Sequence, residues 1–161
     1  MNILVRLHPI LRDIQHNFDF LLNKGYKIRS TNLRGSGMLF WSIVFESPQC
    51  LLHIYKEFNE VILTIAPLNA IDTNGKISME DQICIQAMVY YLSKGQRYIG
   101  IFEEDIYRSR KKQLEILADL LKEYIEQMEP YFRSFEFHVY KSDLLLAQRE
   151  YNDLLVRHAY K

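Results

Sequence analysis

The stretch "MLFWSIVFESPQCLLHIYKEFNEVILTIAPL", residues 38–68, decides the fold, because its apolar residues recur with a period of two. In "MLFWSIVFE", Leu39, Trp41, Ile43 and Phe45 fall on one face, and Phe40 and Val44 on the other. "SPQ" then breaks the chain, and "CLLHIYKEF" and "EVILTIAPL" follow as two further strands joined around Phe58, Asn59 and Glu60. Upstream, "YKIRSTNLR" reads as a weaker first strand, joined to the second through the turn residues "GSG" (35–37). Such short connections imply antiparallel neighbours, hence a four-stranded meander.

Outward from the sheet the period changes to that of a helix. Leu7, Ile10, Leu11, Ile14, Phe18, Leu21 and Leu22 form one stripe, with Arg12, Asp13, Gln15, Asn17 and Asp19 toward water and Gly25 ending the helix. A second helix is expected from Ser78 to about Lys94, with Gly95 beyond it. A third and longer one runs from about Glu103 to Phe132, its stripe formed by Leu114, Leu117, Ala118, Leu121, Tyr124, Ile125, Met128, Tyr131 and Phe132. That stripe is wider than a coiled-coil seam, which favours packing on the sheet or on other helices over a coiled coil. Residues 96–101 read either as a short strand or as an apolar loop. Residues 134–141, "SFEFHVYK", read as a fifth strand or a connecting turn, and Ser142 and Asp143 open a final helix. The expected class is α+β in a single domain, 1–161: an N-terminal helix, a four-stranded antiparallel meander, then two or three helices packed on the sheet.

Composition narrows the function classes. At 161 residues the chain is long enough to bury a substantial core, and 48% hydrophobic residues with 25% charged ones describe a globular protein. Lys plus Arg equals Asp plus Glu at 20 each, so no global field draws nucleic acid or anionic lipid. Cys50 and Cys84 are expected as free thiols in a reducing cytoplasm. The N-terminus "MNILVRLHPILRD" lacks the apolar run and small-residue cleavage site of a signal peptide, and no stretch is apolar enough to span a membrane.

Motifs with chemistry mostly dissolve on inspection. "NAIDTNGKISMED" (69–81) approaches a calcium loop when Gly75 takes its sixth position, but Ala70 then stands where an oxygen ligand belongs. Asp81 stands where the bidentate glutamate belongs. A turn at Asn74-Gly75, followed by a helix capped by Ser78 with Asp81 three residues on, accounts for the same letters. Ser36 in "RGSGM" lacks the G-x-S-x-G spacing of a nucleophile elbow. His8, His16, His53, His138 and His158 show no metal-site spacing, although His53 and His138 are free to meet in space. Cys50 and His53, three apart in a strand, point to opposite faces and make no catalytic couple. No catalytic residue, metal ligand or cofactor is therefore expected.

The sharpest charge pattern is "FEEDIYRSRKKQ" (102–113). Glu103, Glu104 and Asp105 lie at the expected start of the long helix, where acids suit the macrodipole, and Arg108 and further bases follow. With Tyr98, Phe102 and Tyr107 alongside, the group Glu103, Glu104, Asp105, Tyr107 and Arg108 is the candidate surface for a protein partner.

The segment 18–66, with "FDFLLNKGY" (18–26) ahead of "SIVFES" (42–47), resembles small bacterial toxin-immunity-like proteins. The resemblance implies a cytoplasmic, non-enzymatic protein that neutralises a toxin by direct binding, and it carries no functional residues across. The alternative from a different class is a small-molecule-binding or hydrolytic α+β domain, with a pocket between sheet and helices lined by Trp41, His53, Tyr55 and Tyr91. A homo-oligomer built through the long helix is the third possibility.

Overall fold

The structure, a computed structural model, describes residues 9–33, 41–100, 106 and 109–159. It is α+β: an N-terminal helix, an antiparallel sheet, then three helices packed against one face of that sheet. Helix α1 (Pro9–Asn23) buries Ile10, Leu11, Ile14, Phe18 and Leu21. Asn17, expected toward water, is buried and donates to the Asp13 carbonyl at 2.8 Å, whereas Leu22 stays exposed. Gly25 ends the helix at φ +88°, and the Tyr26 amide donates back to the Leu21 carbonyl at 3.0 Å.

Strands β1 (Lys27–Asn32), β2 (Ser42–Glu46), β3 (Cys50–Glu57) and β4 (Glu60–Pro67) pair in chain order, and a fifth strand, β5 (Ile83–Cys84), completes the sheet. All pairings are antiparallel. The "GSG" turn between β1 and β2 lies outside the described residues. Because side chains alternate, Ile43 and Phe45 of β2, Leu52 and Ile54 of β3, and Val61, Leu63 and Ile65 of β4 share the face buried under the helices. Trp41, just before β2, joins them at 3% exposure, with its carbonyl accepting from the Lys56 amide at 3.0 Å.

The helix expected over 78–94 is in fact three pieces. Met79–Asp81 is a single 3-10 turn, Ile83–Cys84 is β5, and α2 spans only Ile85–Leu92. Ser78 makes no side-chain cap, and Asp81 instead accepts from the Lys141 ammonium at 2.7 Å. The open edge of β4 explains the change: Thr64 and Ile65 take Cys84 and Ile83 as ladder partners, which a helix would not supply.

Helix α3 (Arg110–Phe132) starts later than expected, because Ser109 has extended φ/ψ and its hydroxyl accepts from the Lys112 amide. Its stripe is buried within the chain, against α1, α2, β4 and the final helix. Residues 134–141 are neither strand nor turn. They are the first turns of α4 (Ser134–Ala159), in which Phe137, Leu144, Ala147 and Tyr151 form the buried stripe. The alternation of Phe135, Phe137 and Val139 misleads, since only Phe137 is buried and its two neighbours stand in solvent. Residues 96–100 carry no regular secondary structure.

The second face of the sheet has a lighter cover. Val44, Leu51 and Ala66 pack with Ala70 and Ile77, carried by the chain between β4 and β5. In that segment Asp72 accepts from the Asn74 and Lys76 amides at 2.9 Å each, and Gly75 sits at φ +78°. What precedes it is a strand and a 3-10 turn, not the entering helix of a calcium hand.

Candidate functional site

The partner surface expected from sequence, Glu103, Glu104, Asp105, Tyr107 and Arg108, lies outside the described residues, as does Phe102. Helix α3 begins at Arg110 and has no acidic residue in its first turn. Tyr98, expected as an exposed aromatic beside that group, is half-buried between Tyr151 and His158, at ring separations of 5.7 and 5.0 Å. The four residues of the expected sheet–helix pocket do not converge either. Trp41 lies in the core and Tyr91 packs edge-on against Tyr131, whereas His53 and Tyr55 occupy the opposite, thinly covered face of the sheet.

On that face the polar groups are built into a network. His53 Nδ1 faces Gln82 Oε1 at 3.0 Å, and Thr64 Oγ1 donates to the same oxygen at 2.8 Å. An amide oxygen only accepts, so His53 in this arrangement carries its proton on Nδ1 and presents Nε2 as an acceptor. Burial lowers the His53 pKa, the Gln82 contact opposing it less strongly. The ring lies 4.6 Å from that of Tyr55 and lines a cleft of about 310 Å³ with Ser30, Asn32, Ser42 and Lys76. His138 is exposed on α4, with no described contact to His53. Cys50 and His53 point to opposite faces, as their spacing requires: the Cys50 thiol meets the Tyr26 hydroxyl at 3.2 Å inside the core.

One consequence is measurable. Titration of the His53 ring followed by NMR should give a midpoint below the ordinary histidine value of about 6.5. As pH falls below about 6.5 the unfolded chain takes up a proton that folded His53 resists, so stability falls with it. His53→Gln should remove that part of the acid loss, and an unshifted His53 midpoint would refute the assignment.

Reactive groups elsewhere are held in structural roles. Burial pushes the Cys50 and Cys84 thiols up to about 11, far from thiolate chemistry at neutral pH. Both are free, as expected. Tyr26 donates to Glu129 Oε1 at 2.5 Å, and its own pKa is raised by burial first and by Cys50 second. Among the described residues no group of three or more His, Cys, Asp or Glu is placed to hold a metal ion. Nor is any described helix long and apolar enough to cross a membrane.

A different feature stands out on α4. Phe135 is 77% exposed, Val139 59% and Leu146 53%, and Val156 is also exposed. At about 100° per residue these lie on the side opposite Phe137, Leu144, Ala147 and Tyr151. The helix is thus apolar both inward and outward. Glu136, Asp143 and Glu150, seven residues apart, run along one flank of the outward stripe, and none forms an ion pair with a described residue. The alternating pattern 135–139 carried this signal in the sequence, hidden by its resemblance to a strand.

No family model, no curated protein and no solved structure matches the chain.

Proposed function

We propose that this chain is a non-enzymatic protein-binding domain, most concretely a cytoplasmic bacterial immunity protein that neutralises a toxin by direct association. The observation that carries the reading is the outward stripe Phe135, Val139 and Leu146 on α4, apolar side chains left in solvent by a helix whose other face is anchored in the core. Exposed aromatic and aliphatic groups on a rigid element supply contact area at modest entropic cost. The flanking row Glu136, Asp143 and Glu150 suits a partner whose own apolar stripe is bordered by Lys or Arg. The engagement of His53, Cys50 and Cys84 in structural hydrogen bonds agrees with a protein that performs no turnover.

The test co-expresses the chain in a sensitive host with toxin candidates encoded beside its gene. The expected result is rescue of growth, a stable complex by sedimentation and an unchanged intact mass of the toxin. Phe135→Ser combined with Leu146→Ser should abolish rescue while the melting temperature stays within a few degrees, as solvent-exposed substitutions do. Reversing Glu103 and Glu104 should slow association at low salt if that segment also touches the partner. Rescue that survives the α4 substitutions removes the stripe from the interface, and turnover of a substrate overturns the non-enzymatic reading.

A further inference from the structure

A second cleft, of about 350 Å³, opens where β4 and β5 meet the C-terminal half of α4. Its size is at the lower end of the range of about 300–1,000 Å³ typical of small-ligand sites. Glu57 and Glu60 are directly opposite at the last pair of the β3–β4 hairpin, and like charges in that relation repel. Neither carboxylate has a hydrogen bond or ion pair with a described residue. Burial, and then Glu57, raises the Glu60 carboxyl above its usual range. The charge is therefore costly where it sits, and no described residue supplies a compensating cation.

The groups that line the cleft around it are hydrogen-bond donors of a complementary kind. Gln86 is 7% exposed, and its Oε1 accepts from the Cys84 thiol at 2.7 Å, yet its Nε2 donors have no described partner. Asn152 Oδ1 accepts from Gln148 Nε2 at 3.1 Å, and its own amide donors have no partner among the described residues. The Tyr55 hydroxyl has no described partner, and its ring lines the same cleft. One wall thus asks for a cation and the other for a carbonyl oxygen.

We propose that this cleft binds a guanidinium group linked through a short aliphatic chain to a carbonyl, as in an arginine residue or a free guanidino amide. The guanidinium sits between the Glu60 carboxylate and the Tyr55 ring, and the carbonyl accepts from Gln86 Nε2 and Asn152 Nδ2. A planar cation matches both a carboxylate and an aromatic face, whereas an ammonium matches them less well. The inference is independent of the protein-binding reading.

The test titrates the full chain with N-acetyl-arginine methylamide, following by NMR the Cys84 backbone amide and the Gln86 and Asn152 side-chain amides. Saturable shifts with a dissociation constant of roughly millimolar are expected, the range in which small single-group ligands fall. The citrulline analogue, neutral and nearly isosteric, should bind at least about tenfold more weakly, a loss of about 1.4 kcal/mol. Glu60→Gln should show the same loss with an unchanged spectrum elsewhere. Tighter binding of 4-guanidinobutanamide than of the blocked arginine assigns the source to a free guanidino amide, and the reverse order assigns it to a protein side chain. Agmatine, which has no carbonyl, should bind more weakly than either, and equal or tighter binding of agmatine overturns the carbonyl half of the proposal. Absence of saturable shifts, equal binding of the citrulline analogue, or full binding by Glu60→Gln overturns the proposal.

Discussion

Trp41→Ala is expected to cost about 3–5 kcal/mol of unfolding free energy, as truncation of a large buried aromatic side chain does. Trp41 is 3% exposed and packs into the cluster that joins α1, the sheet and the three later helices. Removing it opens a cavity where sheet and helices meet, and the β-ladder limits how far the backbone can collapse into that space. Trp41→Phe should cost much less. The indole Nε1 has no hydrogen-bond partner among the described residues, so phenylalanine keeps most of the apolar contact and drops an unsatisfied donor. Urea unfolding of both variants, followed by circular dichroism, separates the two terms. Native tryptophan fluorescence that is water-like and readily quenched, or equal losses for the two variants, would sink this account.

The sheet was legible because strand periodicity and turn residues agree over residues 41–67, where almost every inward side chain is large and apolar. Legibility failed where local pattern and tertiary demand diverge. Ile83 has the spacing of a helix with Ala87 and Tyr90, yet the unpaired edge of β4 recruits Ile83 and Cys84 as a strand. That demand originates about eighteen residues earlier in the chain, at Thr64 and Ile65, and no local window contains it. Phe135 and Val139 failed for the opposite reason. Their alternation with Phe137 is real, but it arises because α4 has two apolar faces, a pattern that period-two reading cannot distinguish from a strand. The polar network on the second sheet face was half visible: His53 was singled out, but Gln82 and Thr64 carried no motif. A hydrogen-bonding partner set by sheet register is invisible until the register is known.

Gln113→Leu is expected to destabilise the fold by about 1–3 kcal/mol, the range for leaving a buried backbone polar group without its partner. Gln113 is fully buried on α3, at the border of its apolar stripe. Its Oε1 accepts from the Val61 amide at 2.7 Å, and its Nε2 donates to the carbonyls of Asn59 at 2.9 Å and Ile106 at 3.4 Å. One carboxamide therefore fastens the β3–β4 turn to the start of the central helix, in a position that water does not reach. Leucine matches the volume, so packing is nearly conserved and the measured loss reports the orphaned Val61 N–H and the two carbonyls. Gln113→Glu tests the same geometry with the donor amide replaced by a charged acceptor: a carboxylate still accepts from Val61 but faces two carbonyl oxygens with no proton to offer. It should therefore be at least as destabilising as leucine at neutral pH, and should recover part of the loss as acid protonates it. Hydrogen exchange at the Val61 amide gives the local readout, with protection expected to fall more than at Leu63 in Gln113→Leu, where the acceptor is lost, but not selectively in Gln113→Glu, where it is kept. Unchanged Val61 protection in Gln113→Leu would show that the turn is held by the ladder alone.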